Sequence, residues 1–449
     1  MGFRRRDILK FGLVQALVSA LPGKSWSWNL RRSRSRLSIL QGATDASKTQ
    51  FNILGLEAQN LEIFVTDAQG QIWKADRLET FSKAGHPEKI WRASFSGLSV
   101  GADYFLNVMD VAGQALLDQR QFQTLSPASA GSSLRFALAS CMDEKFHDPR
   151  IWRDMVDRKP QMIFFIGDFV YVDEEKRAGE ERAGEERKDV PPPTPDRLWQ
   201  RFCATRNTLD IFFSPHLIPI LATWDDHDFA MDNATDSYPY VAESQKNFLS
   251  FFAQNESHCD WIQAGPGVSS VFRFGDHLFL LLDDRSFRKE KGSKDRYAQW
   301  GQEQEEWMHR QIASHERAAW LFNGSQYFPQ APIKDSVSGD HPVQFQGFLQ
   351  ELKKHSAKSI LASGDVHYSE ISRIEAKILG YETYEITSSA IHSPALMNPA
   401  MIPNHRRISL TGQRNYVMVE GRWLESHLYF ATTCYGITGE ILFQNNLKV

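Results

Sequence analysis

The sequence predicts a mixed α/β body preceded by a smaller all-β domain. After about residue 134, short apolar runs that end in polar or charged residues alternate with helical patterns, which is typical of α/β folds. Before that point, runs rich in aromatic and β-branched residues follow one another without a helical pattern. Of the 449 residues, 42% are apolar and 24% are charged, which is enough for two soluble domains with their own cores.

Charge and cysteine spacing argue against two classes of protein. The net charge of −4 gives no reason to expect a nucleic-acid-binding domain. The four cysteines are widely spaced, so neither a disulfide framework nor a CxxC zinc site is expected. They are Cys141, Cys203, Cys259 and Cys434.

The N-terminus has the pattern of an export signal. Basic residues Arg4 to Arg6 precede an apolar run, Phe11 to Leu21, which is too short to span a bilayer comfortably. The order Arg5-Arg6-Asp7-Ile8-Leu9-Lys10 resembles a twin-arginine signal, which carries proteins that are already folded. We therefore expect a signal peptide over residues 1–30, the twin-arginine export machinery as a partner, and a periplasmic or extracellular protein without a stable membrane span. The alternative is an N-terminal helix docked on the body.

Residues 37–126 are expected to form the N-terminal β-domain. Short β-rich runs are separated by turn signals such as Asp67 to Gly70 and Gly97 to Gly101. This pattern predicts a small immunoglobulin-like or fibronectin-like sandwich. It contains no cluster of His, Asp or Cys, so we expect a structural or docking role. Small polar residues from Ser126 to Ser133 form the linker to the body.

The body opens with a strand–helix–strand unit. A strand from Leu134 ends at Cys141, a helix is expected over Pro149 to Lys159, and the apolar run Met162 to Ile166 ends at Gly167-Asp168. A carboxylate directly after a buried strand lies at the carboxyl edge of the sheet, where α/β folds place ligands. Tyr171 follows three residues later. Taken alone, Asp168 is better explained as a cap of a loop or of the following helix.

Three further strands end in charged clusters, and together these clusters favour a ligand role for Asp168 over a cap. Asp225-Asp226-His227-Asp228 ends the run from Pro219, and four ionisable residues after a buried strand are costly unless paired or metal-bound. Gly364-Asp365-Val366-His367 ends the run from Ser359. Asp283-Asp284-Arg285 ends the run from His277, with Arg288 close behind.

Together these strand ends predict a metal site. Carboxylate, imidazole, phenolate and thiolate groups in one place fit metal ligation better than a proton-transfer pair, and the last two suit ferric iron. Two cations bridged by carboxylates can clamp a phosphoryl group and lower the pKa of water. Arg285 and Arg288 are candidates to hold phosphate oxygens, and the alternative is a surface or inter-domain salt bridge, which is an equally good interpretation for Arg288. The candidate residues at the strand ends are Cys141, Asp168, Tyr171, Asp226, His227, Asp365 and His367.

A charged insertion follows Tyr171. Residues 173–195 contain a tandem duplication, Arg177 to Glu181 followed by Arg182 to Glu186, and end in the proline-rich run Pro191 to Pro195. This composition predicts a surface insertion. It could cover the site as a lid, but a solvated loop is the favoured interpretation.

The motifs at these strand ends resemble those of the alkaline phosphatase D (PhoD-like) metallophosphoesterases. They occur in the family's order over about residues 134–392, and jointly they are specific. The matching motifs are SC at Ser140-Cys141, GDxxY at Gly167–Tyr171, TWDDHD at Thr223–Asp228, LDxRxxR at Leu282–Arg288, SGDVH at Ser363–His367 and TSS at Thr387–Ser389.

The resemblance implies a four-layer αββα sandwich over residues 134–449 and a centre of Fe³⁺ and Ca²⁺, with other divalent metals as alternatives. It also implies that Asp168 bridges two metals, that His227 protonates the leaving oxygen, and that Arg285 helps to neutralise charge. The first D-x-H motif of the wider superfamily is absent, and Cys141 takes its place, as in the PhoD-like branch. By motif position the metal ligands would be Cys141, Asp168, Tyr171, Asp226, Asp365 and His367.

The leading functional hypothesis is an exported metal-dependent phosphoesterase, of the alkaline phosphatase type, that hydrolyses phosphate mono- or diesters with metal-activated water. One alternative is a phosphodiesterase or phospholipase that acts on lipid or teichoic-acid-like polymers. Another is a noncatalytic surface protein that keeps a metal for stability and binds through its β-domain. His227 and Arg285 argue against the last alternative because a closed structural site needs neither residue.

Overall fold

The computed structural model describes residues 36–112, 115–126, 133–173, 191–254, 258–329, 335–394, 396 and 398–449. The expected signal peptide (1–30) lies outside these residues, as do most of the linker and the part of the charged insertion that contains the tandem duplication. These predictions therefore stay predictions. Among the described residues, no helix is both long enough and apolar enough to cross a membrane.

The region between Ser38 and Gln123 is all-β where it is described. Its strands pair antiparallel in two sheets, ordered β1-β2-β6-β5 and β4-β3-β7-β8, with a shared apolar core that includes Phe51 and Trp91 from one sheet and Leu106 and Phe122 from the other. The immunoglobulin-like or fibronectin-like subclass stays a prediction. The strands are β1 (Ser38–Thr44), β2 (Thr49–Leu56), β3 (Leu61–Thr66), β4 (Ile72–Lys74), β5 (Arg77–Ser82), β6 (Glu88–Phe95), β7 (Asp103–Asp110) and β8 (Ala115–Gln123).

The body after residue 133 is mixed α/β. Its described strands form one sheet in the order β11-β10-β9-β20-β21-β22 and a second in the order β12-β13-β14-β15-β16-β18-β17-β19. The strands are β9 (Leu134–Ala139), β10 (Met162–Ile166), β11 (Ile220–Thr223), β12 (Ile262–Ala264), β13 (Ser270–Phe274), β14 (His277–Leu281), β15 (Ala318–Phe322), β16 (Lys358–Ser363), β17 (Ser369–Ile374), β18 (Thr383–Thr387), β19 (Arg407–Thr411), β20 (Asn415–Leu424), β21 (His427–Gly436) and β22 (Ile441–Lys448).

The helices occur between these strands, and the first of them lies within the predicted range Pro149 to Lys159. Asp148 begins the first of them as an N-cap whose side chain accepts a hydrogen bond from the Arg150 amide, with proline at the first helical position. The helices are α1 (Pro149–Asp157), α2 (Pro195–Arg206), α3 (Asp226–Phe229), α4 (Val241–Phe251), α5 (Gly301–Ala313), α6 (Val337–Asp340), α7 (Pro342–Leu352) and α8 (Ala376–Leu379).

The two sheets of the body pack face to face, and helices cover their outer faces. Between the sheets, the ring of Phe136 in β9 lies 5.1 Å from the ring of Trp320 in β15, and Phe164 in β10 lies 4.6 Å from Phe322. On one outer face Trp152 of α1 packs 6.0 Å from Phe165. On the other, side chains of α5 and α7 pack in one cluster with those of β14 and β15. The layers therefore run helix, sheet, sheet, helix.

The C-terminal strands differ in part from what the sequence pattern indicates. Two strand-rich stretches, Tyr381 to Ser389 and Ser426 to Phe443, are by their sequence candidates for a second sheet facing the first. Instead β20 pairs antiparallel with β9, with Val417 opposite Leu138, and β21 and β22 continue that first sheet outward. Only β18, in the other strand-rich stretch, belongs to the second sheet. A local pattern identifies a strand but not its partner, and here the partner is distant in sequence.

Parallel pairing brings the predicted ligand loops together. β9, β10 and β11 are parallel neighbours in the first sheet, and β14, β15, β16 and β18 are parallel neighbours in the second. The loops that follow these strands therefore leave each sheet at one carboxyl edge.

Candidate metal centre

Three groups of potential metal ligands share Asp168. In each group, one potential ligand atom per residue lies within 4.8 Å of the others among the described residues. Asp168 is therefore the centre of the cluster, where the resemblance places a bridging ligand. The groups are Cys141 with Asp168 and His367, Asp168 with Asp226 and His227, and Asp168 with Asp225 and Asp365.

Contacts at the thiol side of this cluster bring in Tyr171. Cys141 Sγ lies 3.5 Å from Asp168 Oδ2, and Tyr171 Oη lies 3.4 Å from His367 Nε2. Four of the other five predicted metal ligands therefore lie near Asp168, and Tyr171 lies near His367, although their roles as ligands stay predictions. His227, Asp365 and His367 keep partial exposure, so the cluster is reachable from solvent. Catalytic metal sites need such an open side, whereas structural sites are closed.

The backbone at the cluster is strained. Cys141, Asp168, Asp365 and His367 have φ values of 56°, 52°, 67° and 60°, in the left-handed region that non-glycine residues avoid. Each such residue costs on the order of 1–3 kcal/mol, and such strain collects at functional sites. Gly167 has φ 90°, and a Cβ there would lie 2.7 Å from Cβ of Asp225, so only glycine fits between these two loops.

The electrostatics of the cluster suit a bound cation. Burial and then the neighbouring Cys141 raise the pKa of Asp168 well above its ordinary value, and burial and then Asp168 raise the pKa of Tyr171. Oδ1 of Asp168 and Oδ2 of Asp225 are buried and have no hydrogen-bond partner among the described residues. Buried anionic groups need a counter-charge. Thiolate, phenolate, imidazole and carboxylate donors together fit metal ions.

His227 is held by a residue that sequence reasoning did not assign. Its Nδ1 lies 2.8 Å from Oδ1 of Asp173, and its ring lies 4.4 Å from that of Tyr171. Burial would lower the pKa of His227, but the carboxylates of Asp226 and Asp173 outweigh it and raise that pKa well above the ordinary value. The sequence pattern assigns Asp173 to the charged insertion. Its position two residues after Tyr171 is the signal that could have identified it as a residue of the site.

Arg285 and Arg288 are both buried in ion pairs. Arg285 has no exposed surface and pairs with Asp225, and its Nη2 lies 3.7 Å from Oδ2 of Asp226. Arg288 Nη2 lies 2.7 Å from Oδ2 of Asp340 in a buried salt bridge within the body, and not in a surface or inter-domain pair. A direct contact of either guanidinium with phosphate stays a prediction. Asp225 was missed because nothing in the run Asp225–Asp228 indicates which carboxylate pairs with an arginine.

Asp228 joins two of the ligand loops. Its Oδ1 accepts a hydrogen bond from the Val170 amide at 2.7 Å, and its Oδ2 accepts one from the Asp225 amide at 3.1 Å. Burial raises the pKa of Asp228 to about 7, although these amide hydrogen bonds oppose the shift. The loop after β10 and the loop after β11 are therefore fixed relative to each other.

Comparisons with known proteins agree with the motifs. Residues 136–420 match the model of the PhoD-like phosphatase family. Alkaline phosphatase D of Bacillus subtilis (strain 168) is 22% identical over 303 residues, which cover 59% of this chain and 50% of that protein, so the match spans about half of the curated relative. A solved structure of PhoD superposes with a TM-score of 0.66 at 16% identity, covering 91% of each chain. At that identity the likeness shows the fold.

Proposed function

The chain belongs to the PhoD-like phosphatase family, and on that basis we propose that it is an exported, metal-dependent phosphoesterase of the alkaline phosphatase type. The observation that carries this proposal is the set of three ligand groups that share Asp168. The helix, sheet, sheet, helix order of the body supports its classification as a metallophosphoesterase sandwich.

The donor types suggest how two kinds of cation would be held. Cys141, Tyr171 and His367 offer the thiolate, phenolate and imidazole that suit Fe³⁺, while Asp226 and Asp365 offer carboxylates that suit Ca²⁺ or another hard cation. Asp168 would serve both. When bound, such cations would lower the pKa of water and balance negative charge on a phosphoryl group.

His227 is the proposed general acid. Asp173 orients its ring, and the carboxylates of Asp226 and Asp173 raise the pKa of the imidazole, which favours the protonated form that a general acid needs. Its remaining nitrogen, Nε2, is then the atom that would donate a proton to the leaving alcohol oxygen. Arg285 would add positive charge near Asp226 and hold the Asp225–Asp228 loop in position.

The test is metal analysis and a phosphatase assay on purified protein and its Asp168→Asn variant. We expect the variant to lose both bound metal and activity, since the central carboxylate is removed. Asp196→Asn, a change at an exposed carboxylate that pairs with Lys83, is the matched control and should keep both. An Asp168→Asn variant with full metal content and activity would show that the assignment is wrong.

Substrate class is tested by comparing a nitrophenyl monoester with the bis-ester. The proposal expects faster hydrolysis of the monoester. A faster rate on the bis-ester would favour the phosphodiesterase alternative, and no hydrolysis of either by metal-loaded protein would favour the noncatalytic alternative.

Export is proposed from residues 1–30 alone. The basic pair Arg5-Arg6 followed by the apolar run to Leu21 supports a twin-arginine signal. Changing both arginines to lysine should leave the protein in the cytoplasm, as seen by cell fractionation. Unchanged export of this variant would contradict the proposal.

A further inference from the structure

The Thr387–Ser389 motif contributes no candidate metal ligand and no candidate catalytic residue. Its last residue nevertheless lies inside the candidate metal centre. Ser389 is fully buried and follows β18. Its Oγ lies 3.0 Å from Cys141 Sγ and accepts a hydrogen bond from the His367 amide at 2.8 Å. One hydroxyl group therefore bridges two predicted ligands that come from different sheets.

The proposed metal site gives the direction of the contact with sulfur. The His367 amide can only donate, so Ser389 Oγ accepts there and its own hydrogen is available. A metal-ligating Cys141 is a thiolate without a hydrogen, so at 3.0 Å its Sγ would accept the hydrogen of Ser389. Ser140 differs, because it lies 3.3 Å from the same sulfur but donates its hydrogen to the Ser388 carbonyl at 2.8 Å.

We propose that Ser389 is a positioning residue of the metal centre, which donates a hydrogen bond to the Cys141 sulfur and fixes the main chain at His367. The inference rests on the proposed metal site. A donor to a ligating sulfur withdraws electron density from it and holds it in one orientation, and partners of this kind tune the bound metal.

The same motif supplies a matched control. Ser388 is also buried, but its Oγ donates to the Leu138 carbonyl at 2.8 Å. Ser388→Ala therefore removes the buried hydroxyl of the residue adjacent to Ser389 without removing a hydrogen-bond donor to the Cys141 sulfur.

The experiment uses the full chain loaded with Co²⁺ as the probe. The sulfur-to-cobalt absorption band and the rate of cobalt loss to a chelator are measured for the wild-type protein, Ser389→Ala, Ser389→Thr and Ser388→Ala. We expect Ser389→Ala to move the band to longer wavelength and to weaken metal binding by roughly 10- to 100-fold. Ser389→Thr keeps a hydroxyl and should restore the band, and Ser388→Ala should leave it unchanged.

The outcomes separate this inference from the proposed function. A normal wild-type band together with an unchanged band in Ser389→Ala would overturn the role of Ser389 and leave the phosphoesterase proposal intact. A wild-type protein that binds neither cobalt nor iron nor calcium would overturn both. If Ser389→Ala does not fold, Ser389→Val removes the hydroxyl while matching the size of Ser389→Thr, and bands at the same wavelength in these two variants overturn the inference.

Discussion

Two regions of the molecule bury arginine in opposite ways. At the junction between the N-terminal sheets and the body, Arg206 of α2 is fully buried and donates to the carbonyl oxygens of Ser38, Asn52 and Phe251 at 3.1–3.2 Å. In the metal centre, Arg285 is equally buried but is paired with the carboxylates of Asp225 and Asp226.

The difference separates the junction, which holds two parts of the chain together, from the candidate metal centre. At the junction the guanidinium of Arg206 donates hydrogen bonds to main-chain carbonyl groups. These contacts join the N-terminal sheets to the body. In the metal centre, buried carboxylates outnumber the guanidinium, and Asp168 and Asp225 each keep an oxygen without a hydrogen-bond partner among the described residues. Uncompensated buried charge and strained backbone are costs that functional sites accept.

The largest effect is expected from Arg285→Gln. Removing this charge leaves Asp225 buried without its partner, which costs about 3–5 kcal/mol in the free energy of unfolding. Metal content should fall as well, because the loop with Asp226 and His227 loses its anchor. Urea unfolding and metal analysis measure the two effects. Arg150→Gln, at an exposed pair with Asp148, is the control. Normal metal content with only a raised KM would mean that Arg285 contacts phosphate instead.

The next largest effect is expected from Arg206→Met. Several buried carbonyl groups lose their donor, so the free energy of unfolding should fall by about 2–4 kcal/mol. Bound metal and activity per folded molecule should stay as in the wild type, because no residue of the metal centre contacts Arg206 in the described structure. Arg77→Met, at an exposed ion pair with Glu79, is the control. Loss of metal from folded Arg206→Met protein would break the distinction between the two regions.

A smaller effect is expected from Asp173→Asn. The variant loses the carboxylate that orients His227, so kcat should fall roughly 10- to 100-fold. This loss is smaller than the full rate contribution of a positioned general acid. The alkaline limb of the pH–rate profile should move to lower pH, because Asp173 raises the pKa of His227. Asp232→Asn is the control, since its exposed carboxylate lies 4.0 Å from the same ring. An unshifted profile would show that Asp173 has only a structural role.

The smallest effect is expected from Lys48→Ala. Lys48 forms an ion pair of 2.9 Å with the exposed Asp260, at the edge of the same junction that contains Arg206. Exposed pairs contribute about 0.2–1 kcal/mol. A thermal melt should therefore shift only slightly, and the shift should disappear at high salt. A change as large as that of Arg206→Met would mean that exposed charges, and not buried hydrogen bonds, hold the junction.

The strands that carry the candidate ligand loops could be predicted from the sequence, while their pairing partners could not. Apolar runs ending at Cys141, Asp168 and Asp365 indicate a strand with a candidate ligand at its end, because strand length and strand end are local properties. The contact of Asp173 with His227 depends on how two loops meet, and local patterning does not encode that. For the same reason the pairing of β20 with β9 could not be predicted, because it depends on how the whole sheet assembles.

The position of β20 has a consequence for the order of events during synthesis. β9 leads directly to Cys141, and it lies between β10 and β20 in its sheet. Until residue 424 has left the ribosome, one edge of β9 is unpaired and open to wrong partners. Contacts between segments so distant in sequence form slowly. The centre around Asp168 should therefore take up metal only after nearly the whole chain has been made, and a chain stopped before Asn415 should aggregate and not assemble a partial site.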